Sequence, residues 1–545
     1  METLAAAAKQ SWLSWFFRGT LILGFLILAG RLSELQIIKG NYFRSLAEGN
    51  RIRRVPIVAA RGKILARGGE ILVGNHEVKK RIIFDKDSGF DKVEDLEGAK
   101  EDEIITEYVR EYPLAEKFAH LSGYLGEVNP EEVGKINPEC PEKGPRKGGT
   151  LVGRSGLEEG YECLLAGIDG EELVEVDTGG RKIRTLGKRD PIAGSDLKTS
   201  IYFGLQEKVS EVMAEVKGAA IVVEPATGRI LALSSSPSFD PKLFIEKSDN
   251  ESISRLLTDE NLPLFNRAIG GQFHPGSVFK PLVAIAALEE GKIDKDYFFE
   301  DEGVITIKTL YGDFSYYNWY FSQYGATEGR INLVRAIARS TDTFFYTLGE
   351  TVGINKLVEW QKKFGLGEGT GIDIPGEIGG LVPSPEWKER VKGEPWFLGN
   401  TYHVSIGQGD LSLTPLEVTS ITSTIANGGK LCRFKIGEEA DCQDLKIKET
   451  NLSLVKEGMV EACRPGGTGY TFFDFEPQVA CKTGTAETNE DGKTHAWFTV
   501  FAPADFPEVA ATVLVERGGE GSKVAGPIAR EIFDYWFQSG NQPSF

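Results

Sequence analysis

Residues 12–30 read Trp-Leu-Ser-Trp-Phe-Phe-Arg-Gly-Thr-Leu-Ile-Leu-Gly-Phe-Leu-Ile-Leu-Ala-Gly, 19 residues with one charge, Arg18. A helix of about 20 apolar residues crosses a bilayer core, so this segment is expected to tie the chain to a membrane. The uncharged part, 19–30, is short for a full crossing. Arg18 must therefore extend toward the headgroups, where Trp12 and Trp15 fit an interfacial belt. No small-residue cleavage pattern follows, which favours an uncleaved anchor over a removed signal peptide. We expect a cytoplasmic tail over 1–11 and a transmembrane anchor over 12–36. The competing reading is a helix buried in a soluble domain. Lys9 and Arg18 precede the apolar core, while Arg31, Lys39 and Arg44 follow it, so flanking charge does not orient it.

The chain has 545 residues, more than one hydrophobic core organises, so two or more domains are expected. Its net charge of −18 repels phosphate backbones and argues against nucleic acid as a partner. Cysteines stand at 140, 163, 432, 442, 463 and 481, with no zinc-finger spacing among them. They are either six thiols or three disulfides formed in an oxidising compartment. Cys432 and Cys442 flank a predicted hairpin and could pair, but many connectivities remain open.

Residues 40–210 are mixed. Arg53-Arg-Val-Pro-Ile-Val-Ala59 is strand-like, the acidic stretch 92–110 is helix-like, and 137–149 is a Pro-, Gly- and Lys-rich loop. No catalytic constellation lies here, so we expect a pedestal, a spacer or docking domain. A second domain, 217–540, opens with Ala219-Ala-Ile-Val-Val223, the turn Pro225-Ala-Thr-Gly228 and Ile230-Leu-Ala-Leu233, a β-hairpin pattern. Strands are expected at 478–481, 495–501 and 509–515. The last helix aligns Ile528, Ile532, Phe533 and Trp536 on one stripe. The pattern predicts one antiparallel sheet covered by helices.

Three motifs carry chemistry. In Pro275-Gly-Ser-Val-Phe-Lys280 a Pro-Gly turn leads into the apolar helix Leu282-Val-Ala-Ile-Ala-Ala-Leu288, stopped near Gly291. Ser277 suits an N-cap or first turn, Pro281 falls where a missing N–H costs little, and Lys280 shares the Ser277 face. A serine hydroxyl needs a base, and lysine can serve once desolvation and a second cation lower its pKa. Ser195/Lys198 and Ser453/Lys456 repeat the spacing, but only Ser277 opens a long apolar helix. Ser340-Thr-Asp342 precedes Phe344-Phe-Tyr346. Its hydroxyl can relay a proton to a leaving amine, against the plainer role of helix cap. Ser248-Asp-Asn250 and Ser238-Phe-Asp240 are decoys in polar or Pro-rich loops. Lys482-Thr-Gly-Thr485 occurs once, after Val479 and Ala480. Gly484 is expected to let a substrate backbone approach the strand edge. Lys482, Thr483 and Thr485 can hold a carboxylate, and the N–H groups of Thr485 and Ser277 can form an oxyanion hole. The plainer alternative is a basic residue and a glycine bulge on an edge strand.

In this order the motifs resemble those of penicillin-binding proteins and class A β-lactamases. The chain resembles a class B, monofunctional penicillin-binding protein over most of residues 31–540. Arg61-Gly-Lys-Ile-Leu-Ala-Arg67, Ala119-His-Leu-Ser-Gly-Tyr-Leu-Gly126, Gly153-Arg-Ser-Gly-Leu-Glu158 and Gly194-Ser-Asp-Leu-Lys-Thr-Ser200 are similar to that family's pedestal. Arg267-Ala-Ile-Gly-Gly271, Ile406-Gly-Gln-Gly409, Leu413-Thr-Pro415 and His495-Ala-Trp-Phe498 are similar to its transpeptidase domain. The resemblance implies a multidomain α+β fold: a transmembrane helix, an elongated pedestal, and a transpeptidase domain with a five-stranded antiparallel sheet. It implies Ser277 as the acylated nucleophile, Lys280 as base and Ser340 as proton relay. Lys482, Thr483, Gly484 and Thr485 would form the carboxylate-binding strand, with Asp342 also at the substrate site. Asp342, where many relatives carry Asn, and His495-Ala-Trp-Phe498 lean toward the elongation-type branch, penicillin-binding protein 2.

The implied reaction is D,D-transpeptidation of peptidoglycan stem peptides ending in D-Ala-D-Ala, with β-lactams as acylating mimics and no cofactor. Implied partners are a SEDS-type membrane glycosyltransferase and other elongation-complex proteins. The implied place is the inner (plasma) membrane, with the catalytic domain outside the cytoplasm. Some elongation-type relatives hold a metal beside a cysteine in the second motif. Here that position is Thr341, and Gln323-Tyr-Gly325 lacks the usual histidine, so no metal is expected. Cys481 stands where a small residue is usual, and Ala66 replaces a common Asp. Competing readings are a division-type transpeptidase, a membrane β-lactamase or penicillin sensor, and a non-catalytic scaffold. The long pedestal speaks against a lactamase, and no signalling domain is visible.

Overall fold

A computed structural model of the chain describes residues 12–83, 91–99, 103–177, 182–245, 250–310, 312–437, 441–488, 490 and 492–538. Its first helix, α1 (Trp12–Ser33), is the apolar run, and none of its residues is buried. With the following π-turn it spans Trp12–Ile38, long and apolar enough to cross a membrane. A core helix of a soluble domain would hide one face, so the exposed apolar surface fits a lipid-facing anchor.

Contacts divide the chain into two compact units. The first comprises Met1–Ala60, His76–Val109 and Gly167–Ala193. Its β1 (Ile52–Ile57) realises the strand-like run of the sequence. The acidic stretch 92–110 departs from the expected helix, because β2 (Ile104–Glu111) is a strand paired with Ile71–Ile83. Ile-Ile-Thr-Glu-Tyr-Val is β-branched and aromatic, which outweighs its acidic composition. β3 (Gly170–Val176) and β4 (Lys182–Arg189) complete an antiparallel sheet ordered β1-β3-β4. Val55, Ile82, Val174 and Val176 form a small core with Ile105 against it.

The second unit comprises Arg61–Asn75, Arg110–Ala166 and Gly194–Phe545. Two sequence motifs meet within it: buried Glu158 accepts hydrogen bonds from Arg61 Nε at 3.1 Å and Arg110 Nε at 2.6 Å. A buried carboxylate persists only when its oxygens are hydrogen-bonded or paired, here by two guanidinium groups. Its main sheet has β5 (Gly218–Glu224), β6 (Arg229–Ser236), β7 (Ala480–Glu487), β8 (Thr494–Ala502) and β9 (Val509–Val515). The order is β6-β5-β9-β8-β7, with every neighbour antiparallel. β7 is thus an edge. Alternation along β5 sorts its side chains: Ala219, Ile221 and Val223 enter one core cluster, Ala220 and Val222 another. The second cluster is closed by α2 (Phe203–Met213) and by Ile528, Ile532, Phe533 and Trp536 of the C-terminal helix Ala525–Gln538. The first is filled by α3 (Lys280–Glu289), whose residues 280–288 are all buried. Both faces being covered explains why these strands read as continuous apolar runs.

All six cysteines are paired, as Cys140–Cys163, Cys432–Cys442 and Cys463–Cys481. Cys432 and Cys442 stand opposite each other in a short hairpin, and Cys481 lies at the start of β7 beside Lys482.

Candidate active site

Ser277 lies in a 3-10 turn, Gly276–Phe279, that runs straight into α3. It therefore precedes the α-helix rather than capping it. Lys280, three residues on from Ser277, begins α3 where the 3-10 turn ends. Gly276 has φ +56°, its N–H donates to Gly407 O at 2.8 Å, and a Cβ on Gly407 would strike its backbone. The close approach requires glycine at 407, and the positive φ favours it at 276.

Lys280 is fully buried, with the Phe345 ring centroid 5.3 Å from Nζ. Its Nζ donates to Ser340 O at 2.8 Å, Ser340 Oγ at 3.2 Å and Asp342 Oδ1 at 2.6 Å. Ser340 is the left-handed joint, φ 58°, between α4 (Leu333–Arg339) and α5 (Asp342–Val352). Ser340 closes α4 as its C-cap, and Thr341, not Ser340 as the cap reading expected, stands at the N-cap of α5. Asp342 Oδ2 accepts the Trp319 N–H at 2.9 Å, and the Asp342 N–H donates to Asn318 Oδ1 at 3.2 Å. Expected at the substrate site, Asp342 in fact turns both oxygens to protein donors.

Lys482, fully buried on β7, donates to Ser340 Oγ at 2.9 Å and to Thr483 O at 2.9 Å. Two amines thus share one hydroxyl. Burial pushes Lys280 below the usual lysine range, and the Asp342 carboxylate opposes that shift. Lys482 is held well below its usual value by burial and by Lys280, with Asp342 again opposing. Both directions follow from the cost of charge in a dry site.

β7 packs directly on the Ser277 turn. A Cβ on Gly484 would sit 3.0 Å from Val278 Cγ1 and 3.2 Å from Pro275 O. The glycine is thus needed for the strand to approach the serine turn, not to admit a substrate backbone as the sequence led us to expect. On the opposite face Thr483 Oγ1 donates to Thr468 Oγ1 at 2.8 Å. Exposed Thr485 accepts the Gly521 N–H at 3.3 Å.

The decoys lie elsewhere. Ser195 and Lys198 are exposed, Lys456 Nζ donates to Ala426 O, and Ser238 Oγ donates to Glu116 O. Ser248 and Asp249 lie outside the described residues. Asn318, Trp319 and Thr468 went unread in the sequence, because no local spacing marks a residue that acts across 15 or 24 positions.

The penicillin-binding protein transpeptidase domain matches residues 218–534, and the penicillin-binding protein dimerisation domain matches 90–199. The chain belongs to the penicillin-binding protein transpeptidase family. This transpeptidase is 33% identical over 597 residues to the peptidoglycan D,D-transpeptidase MrdA of Acinetobacter baumannii, covering 96% of this chain and 87% of that one. It is similar to the penicillin-binding protein PBP2 of Helicobacter pylori solved in complex with MreC: TM-score 0.77, 26% identity, 90% of this chain and 99% of that one. A chain from a peptidoglycan synthase complex, described as coordinating polymerization and crosslinking, superposes with TM-score 0.76 at 26% identity, covering 98% and 99%.

Proposed function

We propose that this transpeptidase cross-links peptidoglycan stem peptides during wall elongation by acylation of Ser277. The observation that carries this reading is the convergence of Lys280 and Lys482 on Ser340 Oγ, beside the turn that bears Ser277. Two buried ammonium groups around one hydroxyl are costly, so the pair titrates as a unit, and both amines are pushed below the usual lysine value toward the free-base form. Lys280 takes the Ser277 proton as Oγ attacks the carbonyl carbon of the penultimate D-alanine. The N–H groups of Ser277 and Thr485 receive the oxyanion. Ser340 Oγ passes a proton to the departing D-alanine amine and is refilled from a lysine. Lys482, Thr483 and Thr485 receive the terminal carboxylate. The amine of a second stem then attacks the acyl carbonyl, and its proton returns to Ser277 Oγ. A β-lactam opens on Ser277 with its leaving nitrogen still tethered, so the acyl-enzyme persists.

The α1 helix anchors the chain in the inner (plasma) membrane with the catalytic unit outside the cytoplasm. The three disulfides support that side, since such bonds persist in oxidising compartments. By likeness to the MreC-bound relative, the partners are elongation-complex proteins, with a SEDS-type glycosyltransferase supplying the strands.

The test is D-alanine release from a pentapeptide stem by full-length protein in detergent. Release lost in Ser277→Ala, with an unchanged melting curve, is expected. Undiminished release in that variant overturns the proposal.

A further inference from the structure

Asp301 ends the short strand Phe298–Asp301 and is buried. Its Oδ1 accepts the Thr343 hydroxyl at 2.6 Å and the Gly303 N–H at 3.0 Å. Its Oδ2 accepts Asn318 Nδ2 at 3.0 Å and the Glu328 N–H at 2.9 Å. These four partners are neutral donors. Glu328 turns its own carboxylate away, to Arg335 and Arg339. A carboxylate accepts only, so four converging donors orient it fully.

The consequence runs through Asn318, which is fully buried. With Nδ2 spent on Asp301, its Oδ1 is the atom left to receive the Asp342 N–H at 3.2 Å. The next residue, Trp319, gives its N–H to Asp342 Oδ2. Thr343 follows Asp342 in the first turn of α5. Asp301 therefore grips the chain on both sides of Asp342, directly at Thr343 and by way of Asn318. Asp342 in turn faces Lys280 from α3, Lys482 from β7 and Tyr346 from its own helix.

We propose that Asp301 is a positioning residue for acylation: through Asn318 and Thr343 it sets the distance at which Asp342 holds Lys280. This rests on the transpeptidase reading above. Displacing Asp342 by less than an ångström is expected to slow acylation roughly tenfold to a hundredfold. It also weakens the influence that raises the Lys280 pKa, so the inflection of the rate moves to lower pH.

The test is the second-order rate of acylation by a fluorescent penicillin between about pH 5.5 and 9.5, on full-length protein in detergent. Asp301→Asn places an amide N–H₂ against donors. Thr343→Val removes one donor without changing shape, and Thr343→Ser restores it. We expect slowed acylation and a downward inflection in Asp301→Asn and Thr343→Val, with recovery in Thr343→Ser. A lower melting temperature with an unchanged pH profile would make Asp301 merely structural and overturn the proposal. Should Asp301→Asn fail to fold, Thr343→Val decides: a wild-type profile there overturns it. Labelling that survives Ser277→Ala is a separate outcome, and removes the catalytic reading itself.

Discussion

Replacing Asp342 by Asn tests the electrostatics of the site most sharply. The wild-type carboxylate accepts from Lys280 Nζ at 2.6 Å and from the Trp319 N–H at 2.9 Å. An amide has one acceptor oxygen, so Asn satisfies one of the two and turns an N–H₂ toward the other. Losing the charged hydrogen bond costs about 1.5–3 kcal/mol, and orphaning a buried donor about 1–3 kcal/mol. A net loss of about 3 kcal/mol lowers Tm by roughly 4–5 °C for a domain of this size. The sign of the pH effect is fixed. Burial already places the folded pKa of Lys280 below its unfolded value, with Asp342 opposing; without the carboxylate it falls further. The variant's extra loss of stability is therefore largest below its own lowered folded pKa, where Lys280 is protonated in both proteins, and is gone once pH passes the depressed folded pKa of the wild-type Lys280. The inflection of acylation moves to lower pH in the same variant. Thermal melts across pH and stopped-flow acylation read both effects. An inflection that stays in place or rises would refute the reasoning.

Ser340→Ala removes the hydroxyl shared by both amines and should slow acylation by roughly 10²–10⁴-fold at a near-native Tm, measured with fluorescent penicillin. Cys463→Ala with Cys481→Ala opens a disulfide across 18 residues next to Lys482, and should cost about 3 kcal/mol in denaturant unfolding. Burial holds His120 down to about 4 from 6.5, so the unfolded chain binds a proton that the folded one refuses between those values. Stability then falls as pH drops below 6.5, by up to about 2 kcal/mol at pH 5. His120→Asn should flatten the Tm loss between pH 7 and 5, and an unaltered loss would contradict that origin.

What the sequence made legible was local. Ser277 and Lys280 are three apart, so spacing alone suggests one face; Ser340 and Asp342 are two apart, and the left-handed joint at Ser340 brings both to Lys280 Nζ. The β5–β6 hairpin announced itself by two apolar runs around Pro225-Ala-Thr-Gly228. Long-range partners gave no such signal. Asn318 reaches Asp342 from 24 residues away, and Thr468 reaches Thr483 from 15, distances over which no periodicity operates. Gly484 was read correctly as a site of close approach but for the wrong neighbour: the Ser277 turn occupies that space. The 104–111 strand was missed because its acidic residues masked a β-branched pattern that sheet pairing rewards. The cysteines left their pairing open until β7 and the end of the helix Glu449–Ala462 were brought together.

The direct measurement of the central claim is peptide mapping by mass spectrometry after brief exposure of the full-length protein to benzylpenicillin. The account predicts one penicilloyl adduct, on the peptide carrying Ser277, and none in Ser277→Ala. An adduct on any other serine, or one that persists in that variant, would contradict it.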